Sequence, residues 1–371
     1  MKNKFKMISI ILIVLCIGVI IYYNNSSGKY SFKQNDVKYA LTLDGNKIDS
    51  YPSNGVYRVD VTCEGAVGRW LYDEWKLVVE NVISDNVSCN INFKTINKTY
   101  LNEYIIDLVG NEQGTGQVVN ERGYRYEGKN PNNYIWFNNE YWRIIGVFDS
   151  TSHGQSEKNL VKIIRADLLG NLSWNKTNQN DWTAASLKSI LNGAYYNAED
   201  GTDSGYCYGY GASVISNCDY TVRGIQSSYR EMIANVKWYL NGYSNINANV
   251  VSFYQSERGS LNTTAYIGLM YPSDYGFSVL ESSCSRKTNM NSYNNESCAG
   301  SSWLYGNGQE WTITLSSSNS TDVFYLMHNG SYSYSYTARN GYGVRPVLYL
   351  SDSVYKIDGD GSLENPYIIG M

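Results

Sequence analysis

The stretch Tyr134-Ile-Trp-Phe-Asn-Asn-Glu-Tyr-Trp-Arg-Ile-Ile-Gly-Val-Phe148 reads as two apolar strands around Asn138-Asn139. Asparagine tolerates the left-handed backbone that a two-residue hairpin turn demands, so a tight hairpin is expected here. Leu160-Val-Lys-Ile-Ile-Arg165 would extend that sheet. Two helices are expected next. Asp181 caps one that runs to Asn192, with Leu187, Ile190 and Leu191 on one face and Gly193 as its stop. The other lies within Ser228–Leu240 and ends before Asn241-Gly242. Short late strands follow at 266–270, 311–315, 322–327, 332–336 and 343–350. Strands, two helices, then strands returning to the first sheet is an α+β order, and it is assigned to residues 123–371.

Working toward the N-terminus, residues 97–122 read as a helical linker, with a short helix ending at Gly110 and a polar, Gly-containing boundary after it. Residues 29–96 read as a small all-β, sandwich-like domain, because apolar and polar residues alternate at 39–43, 56–62, 75–80 and 88–93. Residues 1–28 carry Lys2, Lys4 and Lys6 ahead of an apolar run from Met7 to Tyr23. That run would span about 25 Å as a helix, the short edge of what crosses a bilayer. It is expected to be an uncleaved transmembrane signal anchor, with residues 7–23 in the membrane and the later domains extracellular. A cleaved signal peptide competes, and Cys16 raises a lipoprotein reading that the bulky Leu15 before it disfavours. Each of the three exports residues 29–371.

Cysteine usage points the same way. Cys63, Cys89, Cys207, Cys218, Cys284 and Cys298 fall as three local pairs, each inside its own expected unit, which favours sequential disulfides among the fifteen possible connectivities. Thiolate metal ligation lacks any CxxC spacing, and with two histidines in the chain, His153 and His328, no metal or cofactor is expected. Charged residues are 17% and the net charge is −4, which excludes a nucleic-acid binder that needs a basic surface. With 36 tyrosines and 33 glycines, solubility must come largely from neutral polar groups.

The segments Phe137-Asn-Asn-Glu-Tyr-Trp-Arg-Ile-Ile-Gly146 and Gly341-Tyr-Gly-Val-Arg-Pro-Val-Leu348, with a closing Gly359-Asp-Gly-Ser362 before Asn365-Pro-Tyr-Ile-Ile369, carry a resemblance. They resemble the C-type lectin-like fold, in the branch shared with formylglycine-generating enzymes, as found in anchored surface proteins of Firmicutes and Mollicutes. The resemblance covers 123–371 and implies a fold and a surface location. It does not carry calcium-dependent sugar binding, because no Glu-Pro-Asn or Gln-Pro-Asp loop occurs. Nor does it carry formylglycine chemistry, because no matching motif surrounds Cys284 or Cys298.

No catalytic set emerges, and a non-enzyme is expected. Glu257, Asp274 and Glu281 could supply a carboxylate pair, but nothing in their spacing fixes one. His153 lies in a polar segment and reads as a solvated loop residue. Asp358-Gly-Asp-Gly-Ser362 reads as a turn, since Glu364 comes too soon to complete a calcium loop. Arg345, beside Pro346, would need a carboxylate if buried, and Asp274 is the expected partner. The ligand-binding candidates are Trp303, Tyr305, Trp311, Tyr332, Tyr334 and Tyr336, in loops rich in Tyr, Ser, Gly and Asn. The expectation is therefore a cell-surface recognition or adhesion protein that binds an extracellular glycan or protein. An envelope enzyme acting on glycan or peptidoglycan, or a structural envelope component, is the alternative.

Overall fold

The computed structural model describes residues 37–371 apart from Asp85, Asn307, Tyr336 and Thr337, and of 332–335 the backbone alone. The expected membrane segment, 7–23, lies outside the described residues. Among the described residues no helix is long and apolar enough to cross a membrane.

The chain forms two units. The first takes in 37–53, 59–71 and 75–94. Val37–Leu43 lies between Asn46–Ile48 and Val87–Thr95 in a sheet whose fourth strand is Tyr57–Glu64. Val37–Leu43 runs parallel to Val87–Thr95, with Leu41 opposite Ile91 and Leu43 opposite Phe93. Val87, Cys89, Ile91 and Phe93 are buried and the residues between them more exposed, the two-residue period of a half-buried strand. Trp70 packs edge-on against Phe93 (5.2 Å between ring centroids) and Trp75 (5.2 Å). Trp75 was expected to open a strand. It occupies the turn instead, at φ 48°, and the strand begins at Lys76.

The second unit is built on two large sheets. One orders its strands Ile267–Gly268, Val347–Tyr349, Leu160–Arg165, Glu140–Phe148, Tyr124–Asn130, Thr115–Asn120 and Glu112–Gln113, with Tyr134–Phe137 also paired to Glu140–Phe148. The other runs Gly170–Ser173, Gly341–Val344, Glu310–Leu315, Val323–Leu326 and Tyr332–Ser335. The hairpin forms around Asn138 and Asn139, both left-handed at φ 56° and 59°, with Phe137 opposite Glu140. Asn138 also ties the turn down, accepting from Gln226 N–H (2.7 Å) and donating to Gly224 C=O (3.0 Å). At the bulge in Glu140–Phe148, Gly146 sits where a Cβ would meet Tyr124 O at 2.3 Å, so only glycine lets the neighbouring strand approach.

The α+β assignment is overturned. The described residues are mostly β, with 38% strand against 17% helix. The helix expected within Ser228–Leu240 is a single turn, Ser227–Arg230, after which Val236–Tyr239 pairs with Asn262–Ala265. Val236 and Trp238 alternate inward there, and strand pairing satisfies both the backbone and that apolar face. The helix expected over 181–192 is broken into a 3₁₀ turn (Trp182–Ala184), an α turn (Ser186–Ile190) and a π turn that runs through Gly193 (Leu191–Tyr195). The short helix expected in the 97–122 linker forms at Leu101–Asp107, but the segment is integrated into the second unit. Thr99–Tyr100 pairs with Tyr355–Asp358, Leu101 and Ile105 are fully buried, and Thr115–Asn120 is a strand of the large sheet.

Candidate functional site: a disulfide-clamped tyrosine loop

Three bridges join Cys63 to Cys89, Cys207 to Cys218 and Cys284 to Cys298. A chain with three disulfides folds in an oxidising compartment, outside the reducing cytosol.

The tryptophans expected to bind ligand are core residues. Trp303 is 5% exposed and Trp311 1%. Trp303 donates from its indole to Tyr126 C=O (2.9 Å), and its ring lies against the Arg143 guanidinium. Trp311 donates to Leu172 C=O (2.8 Å) from a strand, Glu310–Leu315, that is buried on both faces. Tyr305 is half-buried and donates to His328 C=O (3.2 Å). Tyr332 and Tyr334 lie opposite Leu326 and Phe324 in the strand register, and Tyr336 lies outside the described residues.

Arg345 is buried, but its partner is Glu310 (2.7 Å), not Asp274. The segment around it crosses between the two sheets. Gly341–Val344 belongs to one and Val347–Tyr349 to the other, so Arg345-Pro346 forms the corner where no ladder donor is required. Gly343 lies opposite Glu310, which brings that carboxylate within reach. Asp274 instead caps the helix Pro272–Ser278 and pairs with Arg125 (3.1 Å) and Lys162 (2.5 Å), all sealed from solvent. Burial pushes the Lys162 ammonium down to about 8, and Arg125 and Arg258 nearby act in the same direction. Burial alone would raise the Asp274 carboxyl, but the Lys162 and Arg125 charges outweigh it and hold it below the usual range.

Of the acid–base candidates, Glu281 is exposed at the surface, while Glu257 and Asp274 are engaged inside the fold. Glu257 is fully buried, accepts from the Ser273 N–H (3.0 Å) and hydroxyl (2.5 Å), and pairs with Arg258. His153 is buried rather than solvated. Its Nδ1 accepts from Gln155 N–H (3.2 Å), which assigns the proton to Nε2, facing Phe148 C=O at 3.1 Å. The Asp358–Ser362 segment is a turn in which Ser362 N–H donates to the Asp360 side chain (2.9 Å).

Two exposed rings, Tyr206 and Tyr210, share one loop between Glu199 and Tyr220, while Tyr39, Tyr100 and Tyr141 are exposed elsewhere. At the base of this loop Asp200 bridges Asp219, Gly201 N–H donates to Cys218 C=O (2.8 Å) and Tyr220 N–H donates to Glu199 C=O (3.1 Å). The Cys207–Cys218 disulfide clamps its interior. Ser173 anchors one side, its N–H donating to Tyr208 C=O (2.8 Å) and its hydroxyl to Gly209 C=O. Arg339 anchors the other, donating to Gly211 C=O (2.7 Å) and accepting from Gly211 N–H (2.8 Å). Gly211 and Ala212 are left-handed (φ 67° and 58°), which returns the chain so that Val214 bridges Tyr208.

Cys207 and Gly209 therefore face inward, while Tyr206 and Tyr210 are 43% and 75% exposed and Val214 is 73% exposed. Beside them is a recess of about 190 Å³ lined by Thr202, Asp203, Gly205, Cys207, Tyr208 and Val214. Drug-sized sites run to roughly 300–1,000 Å³, so this recess admits a single ring or head group. The Lys176 ammonium sits 5.4 Å from the Tyr206 ring centre and 5.3 Å from that of Tyr208, and donates to Gly205 C=O (3.0 Å). The loop offers aromatic faces, a carboxylate, a hydroxyl and a carbonyl at one place. None of the six sequence candidates, which fall between Trp303 and Tyr336, belongs to this loop. The available signal is Tyr206-Cys-Tyr-Gly-Tyr210, three tyrosines around the first of two paired cysteines, in a segment without apolar periodicity.

No protein family matches the chain, and neither does a curated protein or a solved structure. The resemblance to C-type lectin-like domains accordingly rests on the quoted motifs alone.

Proposed function

We propose that the chain is a non-catalytic recognition protein of the cell surface, held to the membrane through residues 7–23, that binds a glycan at the clamped loop 199–220. The observation that carries this reading is the pair Tyr206 and Tyr210, left exposed on a loop fixed by a disulfide and by hydrogen bonds to Ser173 and Arg339. Exposed apolar rings cost solubility, while rings presented on a rigid scaffold bind with little loss of conformational entropy. Sugar faces stack on such rings, and Asp203, Thr202 and the Gly205 carbonyl can pair with hydroxyl groups. Of the three carboxylates that an envelope enzyme could draw on, Glu257 and Asp274 are buried and paired, which leaves the exposed Glu281 without either as an accessible partner.

The test is a glycan array probed with the full chain in detergent, run beside a turnover assay on peptidoglycan and oligosaccharides. Capture of glycans without product formation is expected. Product formation, or capture of proteins with no glycan retained, would overturn the proposal.

A further inference from the structure

Resting on the glycan reading of the same loop, we infer that the faces of Tyr206 and Tyr208 beside the recess form an ammonium site, that its ligand is an amine-bearing sugar, and that Lys176 is its built-in occupant. The two rings define the site. Tyr206 and Tyr208 both face one point, and the Lys176 ammonium fills it, within the roughly 6 Å at which a cation is held by an aromatic face. The Gly205 carbonyl accepts one of its protons at 3.0 Å.

The charge of the loop favours a cation. Between 199 and 219 the chain carries Glu199, Asp200, Asp203 and Asp219 and no lysine or arginine. Lys176 comes from a different segment, just after the strand Gly170–Ser173, and its side chain is exposed. A flexible, solvent-reached lysine can leave at small cost, whereas the clamped rings cannot. The site therefore has a displaceable occupant and a fixed cage. An incoming sugar ammonium takes over the two ring faces and the carbonyl, while its ring occupies the recess beside Thr202 and Asp203. A neutral sugar must bind with Lys176 still in place, or displace it without replacing its charge.

The experiment titrates glucosamine, glucose, N-acetylglucosamine and tetramethylammonium into the full chain and into the Lys176→Gln and Lys176→Arg variants, at mildly acidic pH so that the amine is charged. Calorimetry gives affinity and thermal unfolding gives integrity. Glucosamine is expected to bind more tightly than the two neutral sugars. Lys176→Gln is expected to strengthen glucosamine and tetramethylammonium binding about tenfold, the factor set by two ring faces of exposed-site strength. Lys176→Arg keeps the cation and should leave both affinities near those of the parent. Equal responses of the two variants, or an equal gain for neutral sugars in Lys176→Gln, would overturn the inference. Glucose or N-acetylglucosamine binding as tightly as glucosamine would overturn it while leaving the glycan reading standing, and failure of every sugar to bind would overturn both.

Discussion

Removing the Cys207–Cys218 bridge tests whether the tyrosine loop is a rigid platform. The bridge closes a separation of 11 residues, and its two sulfurs belong to buried side chains, 2% and 0% exposed. By the chain-entropy relation, opening a loop of that size costs about 3 kcal/mol of stability. For a unit larger than 150 residues, each kcal/mol corresponds to roughly 2–4 °C, so Cys207→Ala/Cys218→Ala should melt about 6–12 °C below the parent. The base of the loop retains the Gly201–Cys218 and Tyr220–Glu199 main-chain bonds, and Ser173 still holds Tyr208 and Gly209. The segment therefore stays attached while its tip loosens, and glycan capture should fall about tenfold or more because the rings must be ordered on binding. Scanning calorimetry and array binding on the same preparation give both numbers. A melting point within 2 °C or so of the parent, together with unchanged capture, would refute the clamp argument.

Other outcomes follow from the core. Trp311→Ala and Trp303→Ala should each lose about 3–5 kcal/mol in urea unfolding, because each removes a buried ring and orphans a carbonyl. Arg345→Met leaves Glu310 buried without its cation and should cost about 3–5 kcal/mol, whereas Arg345→Met combined with Glu310→Met should recover much of that loss, read from the same urea curves. The pH profile has a defined sign. The folded Lys162 releases its proton near pH 8 and the unfolded one near 10.5, so between these values the unfolded state binds more protons and stability rises with pH. Above about pH 10 the trend reverses, because buried Tyr220 and Tyr293, raised to about 12, keep protons that their unfolded counterparts release. Lys162→Met should remove the rise and leave the fall, as measured by urea midpoints across the series.

The sequence carried the hairpin because Asn138-Asn139 is a local backbone requirement, and it carried the cysteine pairing because each bridge closes a short segment. It misled where a residue's role depends on partners far along the chain. Glu310–Leu315 is covered on both faces by strands and segments distant in sequence, so Trp311 has the same local pattern as an exposed binding residue. Asp274 is committed to a helix start and to cations at 125 and 162, which leaves Arg345 to Glu310. The span 228–240 contains good helix formers, yet Val236 and Trp238 find a partner strand at Asn262–Ala265 that no local propensity announces. The tyrosine loop has no periodicity at all, and its shape comes from the clamp and from Gly341, where a Cβ would lie 2.9 Å from the Tyr210 nitrogen.

The most direct measurement compares glycan capture by Tyr206→Ala/Tyr210→Ala with capture by the parent and by Tyr305→Ala, each checked by its melting temperature. The exposed pair should lose capture with the melting point little changed, since neither ring belongs to the buried core, while Tyr305→Ala should still bind. Retained capture by the Tyr206/Tyr210 variant, at an unchanged melting point, would contradict the account.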